Sequence, residues 1–283
     1  MSGTRIQAPS RAIVVSVNVE VEAHDILVAE GAGLFGRYSY GRYGAREGVW
    51  RLLDVFAAEA VKGTFFVDAE DAERHPHIVE AVRAGGHETA LLGSPALVDI
   101  TDESKLTERL KADARRLQAV SGQPVAGWRA GAGLMNEATL PALVRAGFVY
   151  ESSFQDDDEP YCFGDGAGGR LVELPTFKYL TDTTFYTVRR TNVTVRKAWQ
   201  EELEAIYRVQ GYLALTVNSR GDFGSGRAER ARIVGDWIRS AKALPGYRVT
   251  TCADLARAVL AGGIEAEPFP FLEEFAQDAT NAR

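Results

Sequence analysis

The sequence predicts an α/β fold built around a central parallel sheet. Three observations carry that expectation. Short continuous apolar runs of strand length alternate along the chain with longer segments of helical periodicity. One complete β-α-β unit can be read between residues 12 and 67. The composition, 46% hydrophobic and 25% charged over 283 residues, suffices to bury the core of one large domain.

The elements follow in chain order. "AIVVSV" (12–17) lacks polar alternation, the mark of a strand covered on both faces. "REGVWRLLDVFAAEA" (46–60) puts Val49, Leu52, Leu53 and Phe56 on one helical face, and "GTFFV" (63–67) supplies the next strand. "HIVEAVRAGG" (77–86), "ESKLTERLKADARRLQAVSG" (103–122) and "NEATLPALVRAGF" (136–148) read as further helices, with a strand expected to begin at "GHE" (86–88). "YLALTV" (212–217) is another buried strand, and a helix near "RAERARIVGDWIRSAKAL" (227–244) precedes "YRVTTCADLARAVL". Residues 1–262 form one predicted domain and 263–283, with Pro268 and Pro270, a C-terminal extension of extended or docking character. "GAGLFG" (31–36) matches the dinucleotide-binding glycine pattern, but the following "RYSYGRYG" does not read as the opening of a helix, so the stretch is assigned to a glycine-rich loop. "FGDGAGG" (163–169) and "GDFGSG" (221–226) are read as loops as well.

Charge and cysteine usage exclude several classes. A net charge of -7 and a pI near 5.3, without a Lys/Arg cluster, argue against nucleic acid and anionic membrane surfaces as partners. Neither a signal-peptide pattern in "MSGTRIQAPSRAIVV" nor a run of about 18 apolar residues is present, so a cytoplasmic location is expected. Cys162 and Cys252 lack metal or disulfide spacing and fit a reducing compartment.

The segments "VSVNVEVEAHD", "SYGRYGAREGVWRLLDVFAAEAVKGTFFVDA", "HPHIVEAVRAGGHE", "GWRAGAG", "LVRAGFVYESSFQDDDEPY" and "LALTVNSR" together resemble the polysaccharide deacetylase family. They are most similar to its branch of peptidoglycan-deacetylase-like and allantoinase-like, cyclic-amide-hydrolysing proteins. The likeness runs from about Ile13 to Val259 and implies a distorted (β/α) barrel of about seven parallel strands, with a groove at the strand ends. It also implies departures. Asn18 stands where the family has its aspartate base, and Leu92 and Ala96 where it has a His-x-x-x-His metal pair. Arg129 is kept in "RAG" without the family proline, and Asn218 stands where the family has its general-acid histidine. A carboxamide takes no proton at neutral pH, and Leu and Ala offer a metal nothing to bind. No metal and no cofactor are therefore expected.

The polar residues left at this groove are the candidates. Asn18, Glu20, Glu22 and His24 alternate; if the strand turns, only Asn18 and Glu20 face the groove, and Glu22, His24 and Asp25 read as a solvated loop. Glu20, beside the family's base position, and Asp157, matching a substrate-facing aspartate, are the candidates for proton transfer; Asp156 and Asp158 read as solvated. Asn18, Tyr40, Arg129 and Asn218 are the candidates for substrate binding, with Tyr40 serving equally as a packing or subunit contact in a homo-oligomer. Arg129 has lost its family carboxylate, so it requires one from Glu20, from "QDDDEPY", or from an anionic small-molecule ligand. His75 and His77 read as surface residues at a helix start and His87 as structural. Three readings stay open: a metal-independent enzyme on a small anionic or cyclic-amide substrate, a non-catalytic relative that binds a ligand, and a metal-dependent deacetylase, for which the ligand set is missing.

Overall fold

The computed structural model describes residues 11–23, 25 and 35–270. Ten strands form one sheet: β1 (Ala12–Val19), β2 (Thr64–Val67), β3 (Glu88–Gly93), β4 (Gly127–Ala130), β5 (Tyr150–Glu151), β6 (Tyr161–Gly164), β7 (Arg170–Glu173), β8 (Leu213–Asn218), β9 (Arg248–Thr250) and β10 (Glu267–Pro268). Their order is β10-β6-β7-β5-β4-β3-β2-β1-β8, with β9 also pairing β1. The seven-strand run from β7 to β8 is parallel throughout, and only the β6–β7 pair is antiparallel. Helices follow most of these strands, so the architecture is the expected α/β type, compatible with a distorted (β/α) barrel whose ladder does not close.

The apolar run of β1 explains its central place. Ile13, Val15, Val17 and Val19 face one core with Val49, Leu52 and Phe56 of the helix Val49–Ala58. Ala12 and Val14 face a second core with Phe66, Leu92, Tyr150 and the helix Cys252–Ala261. A strand covered on both sides takes apolar residues on both faces, as residues 12–15 show, and its two polar residues, Ser16 and Asn18, come near its carboxyl end. Helix ends obey local chemistry: Asp102 accepts the Lys105 N–H at the start of Glu103–Ser121, and Gly122, at φ +65°, ends that helix.

One sequence expectation is corrected here. "RYSYGRYG" lies not in a loop but in a helix, Phe35–Tyr43, which runs through a π-type turn, Gly44–Gly48, into Val49–Ala58. Gly41 in this helix and Gly48 in the turn after it are there for close approach rather than for turning. A Cβ on Gly41 would lie 1.8 Å from the Val21 carbonyl oxygen and one on Gly48 1.8 Å from that of Ser219, so this face rests on backbone. Gly48→Ala is expected to destabilise the fold by about 3 kcal/mol through overpacking, read as a lower denaturant midpoint; an unchanged midpoint would refute the close contact. The helix Asn192–Val209 and the β6–β7 hairpin were not anticipated from the sequence. Among the described residues no helix is long and apolar enough to cross a membrane.

Candidate functional site

The site begins where β1 stops. Asp71 accepts the backbone N–H groups of Val21 (3.1 Å), Glu22 (3.2 Å) and Ala23 (2.8 Å), which bends the chain out of the sheet directly after Glu20. Glu20 is thereby set at the carboxyl ends of the parallel strands, beside a cavity of about 180 Å³. Leu91, Leu92 and Gly93 of β3, Ser94 and Pro95 after it, and Gly131 and Ala132 after β4 line the same space. Ala132 sits at φ +55°, a left-handed conformation that a non-glycine residue rarely adopts and that turns the chain at the cavity wall.

The lining is rich in acid. Burial is the main cause that drives Glu20 up from the ordinary carboxylate range to about 7, opposed by the Arg220 charge and by the nearby Asn218 carboxamide. Asp68 and Asp71 rise to about 6, again through burial, and Asp68 is raised further by Asp71. The two cavity arginines are already paired: Arg109 with Asp113 at 2.8 Å, and Arg116 with Asp113 at 3.1 Å and Glu73 at 2.7 Å. A carboxylate ligand would meet five acidic side chains, Glu20, Asp68, Glu70, Asp71 and Asp113, against these two arginines. The lining therefore opposes the anionic ligand expected from the sequence.

Behind Glu20 lies a network that the sequence reading missed. Asn218, at the end of β8, accepts the Arg220 N–H on Oδ1 at 3.0 Å, while its buried Nδ2 has no hydrogen-bond partner among the described residues. Arg220, 2% exposed, donates to Asp25 at 3.0 Å and through Nε and Nη2 to the two oxygens of Asp222, each at 3.0 Å. Asp25 also accepts the Gly41 N–H at 2.9 Å. It is thus buried rather than part of a solvated loop. Asp182 accepts the Asn218 N–H at 2.8 Å, and burial lifts it to about 7. The available sequence signal was the charged "NSRGD" directly after an apolar strand.

The remaining candidates lie elsewhere. Arg129 is buried, and no carboxylate among the described residues pairs with it: Nε donates to the Ser152 carbonyl oxygen (2.7 Å), Nη1 to Ser16 Oγ (2.9 Å) and Asn18 Oδ1 (3.0 Å), and Nη2 to Ser152 Oγ (2.8 Å). Its guanidinium carbon also stands 4.0 Å from the centre of the Phe66 ring. Four of its five N–H donors are thus used within the protein, and Arg129 does not line the cavity. The expected salt bridge to Glu20 or to "QDDDEPY" is absent, and neutral oxygens take its place. Asn18 serves Arg129, so it does not need to serve a ligand. Asp157 accepts the Glu159 N–H at 3.1 Å, and Tyr40 is 50% exposed; neither lines the cavity. Glu22 faces His75 at 3.5 Å and Arg42 at 3.7 Å. His24 lies outside the described residues.

The second carboxylate constellation is Glu151 and Glu173, paired in register across β5 and β7 and fully buried. Each is held by a backbone donor, Ser153 N–H at 3.0 Å and Phe154 N–H at 3.2 Å. Burial raises both above the ordinary range, Glu173 the more because the Glu151 charge faces it, while the neighbouring Glu173 and the Arg129 charge pull Glu151 back down. Two carboxyls paired in a dry interior ionise less readily than free ones.

The residues do not fit the metal that the family resemblance implies. Leu92 is packed in an apolar cluster with Phe66 and Ala90, and Ala96 is exposed outside the cavity lining. His87 is at the opposite end of β3, where Nδ1 accepts the Gly63 N–H at 3.3 Å and the ring packs on Phe56 and Phe65. Burial first, and Lys62 second, lower its pKa to about 4. Among the described residues no three His, Cys, Asp or Glu side chains are placed to hold a metal ion.

Residues 40–150 match the polysaccharide deacetylase family. Of the solved structures, a Mycobacterium smegmatis chain assigned to the polysaccharide deacetylases is 28% identical, with a TM-score of 0.84 over 95% of this chain and 96% of that one. The allantoinase PuuE is 23% identical, with a TM-score of 0.80 over 92% and 94%. A CE4 family pseudoenzyme from Bacillus anthracis is 11% identical, with a TM-score of 0.54 over 88% and 66%. None of the curated proteins matches the sequence.

Proposed function

We propose, from the premise that this chain carries the polysaccharide deacetylase scaffold, that it is a metal-independent enzyme hydrolysing a carbon–nitrogen bond in a small neutral or cationic amide, cyclic amides included. The carrying observation is Glu20, a cavity carboxyl lifted to about 7 at the strand ends. A carboxyl tuned to working pH can both take and return a proton. In this reading Glu20 carboxylate removes a proton from water as the water oxygen bonds to the substrate carbonyl carbon, whose π electrons move to the carbonyl oxygen. When that intermediate collapses, the C–N bond breaks and Glu20 returns the proton to the departing nitrogen. Asn218 lies near this carboxyl and favours its anion. The acid-rich lining supports a ligand bearing N–H donors rather than a carboxylate.

The test is hydrolysis of a panel of small cyclic and linear amides by chelator-treated protein. Turnover is expected to survive treatment and, with Glu20 acting as base, to rise with pH through a midpoint near 7. Turnover lost on chelation and regained with zinc would overturn the reading. A ligand-binding protein without turnover is the second reading, supported by the occurrence of the same fold in a pseudoenzyme; ligand uptake with no product from any member of the panel would favour it.

A further inference from the structure

Glu20 sits between two fixed stretches of backbone. The residue before it, Val19, ends β1 and pairs with Val67 of β2. The three residues after it, Val21, Glu22 and Ala23, give their N–H groups to Asp71. Its own carbonyl oxygen accepts the Ser219 hydroxyl at 3.4 Å. Asp71 is 2% exposed, and it reaches this place because the helix Ala69–Arg74 starts just after β2, the strand paired with β1. Asp68 caps that helix, accepting the Glu70 N–H at 2.7 Å and the Asp71 N–H at 3.4 Å. Arg116 of the helix Glu103–Ser121 binds both oxygens of Glu73, at 2.8 and 2.7 Å, and so ties the two helices together.

The two oxygens of Asp71 divide the amides between them. Oδ2 takes the Val21 N–H, the one nearest Glu20, at 3.1 Å, and Oδ1 takes those of Glu22 and Ala23 at 3.2 and 2.8 Å. Three donors leave this carboxylate little capacity for a ligand, although it borders the cavity.

We propose that Asp71 is a positioning residue for Glu20: by gripping the three amides that follow, it fixes the direction in which the Glu20 carboxyl enters the cavity. This inference rests on the reading of Glu20 as the proton-transfer group. Asp71→Asn probes the grip at unchanged size. The orientation that keeps two of the three bonds leaves an oxygen for Glu22 and Ala23 and sets an NH₂ group against the Val21 N–H, so the bond beside Glu20 is lost.

Three readouts test this: amide hydrogen exchange, the place of the Glu20 carboxyl in crystal structures of wild type and variant, and the split between kcat and KM on the amide panel. In Asp71→Asn the Val21 amide is expected to exchange about 10- to 100-fold faster, as for a lost hydrogen bond to a charged acceptor, with the β1 amides unchanged. The Glu20 carboxyl is expected to shift by about 1 Å and kcat to fall about 10²-fold, with KM unchanged. A carboxyl that stays in place, or an unchanged kcat beside a lower melting point, would make Asp71 purely structural and overturn the inference. A raised KM with kcat held would make Asp71 a ligand group and overturn it as well. Should Asp71→Asn fail to fold, Asp71→Ser removes the Val21 bond and is read in the same way, and fast exchange of the three amides in wild type would refute the grip without any variant. The inference and the enzyme reading fail separately. A displaced carboxyl in a protein that turns over no amide keeps the positioning and removes the catalysis, whereas equal turnover by wild type and variant does the reverse.

Discussion

Glu20→Gln is expected to lower turnover by about 10²- to 10⁴-fold, the usual contribution of one general acid–base, and to stabilise the fold at the same time. The second effect follows from the direction of the shift. Burial raises the folded-state pKa from 4.5 to about 7, so between those values the folded protein holds a proton that the unfolded chain has released. Wild-type stability is intact below pH 4.5 and falls as pH rises to about 7, above which the full loss, about 3 kcal/mol at most, persists. Glutamine cannot ionise and escapes that loss. Denaturant melts of both proteins at pH 4 and pH 8 should diverge only at the higher pH. Equal melts at pH 8 would mean that the carboxyl is not desolvated, and unchanged turnover would remove Glu20 from the mechanism.

Arg129→Met is expected to cost about 2–4 kcal/mol of stability, a melting point lower by about 5 °C or more, and to leave ligand affinity unchanged. The guanidinium supplies hydrogen bonds to Ser152 O, Ser16 Oγ and Asn18 Oδ1, and methionine fills the stem but satisfies none of these oxygens. Loss of the cation also removes the charge that draws Glu151 toward ionisation. Thermal melts and ligand titration of the variant decide the matter. An unchanged melt together with weakened binding would restore Arg129 to the role of ligand anchor.

Much of the scaffold was legible because periodicity reports local burial. The two-sided apolar run of β1, the face formed by Val49, Leu52 and Phe56, and the Asp102 and Gly122 helix limits all follow from neighbouring residues. The helix Phe35–Tyr43 and the turn after it were not legible, since glycines that ordinarily break a helix are required at Gly41 and Gly48 by the Val21 and Ser219 backbones, distant in sequence. The site divides in the same way. Glu20 could be placed from its own strand, but Asp25 and Arg220 meet across 195 positions, and nothing in either segment names the other. The expectation for Arg129 failed because it allowed only a charged partner, while the protein provides serine, asparagine and carbonyl oxygens.

The Glu151 and Glu173 pair has a calorimetric consequence. With both carboxyls pushed above the ordinary range, the pair retains hydrogen in the folded chain at a pH where the unfolded chain has given it up. Unfolding at neutral pH exposes both carboxyls to water, where that hydrogen leaves. The solution must absorb it, so the measured heat of unfolding includes the protonation enthalpy of whatever buffer is present. Phosphate and Tris, whose protonation enthalpies differ widely, will therefore report different unfolding enthalpies for the same molecule at the same pH.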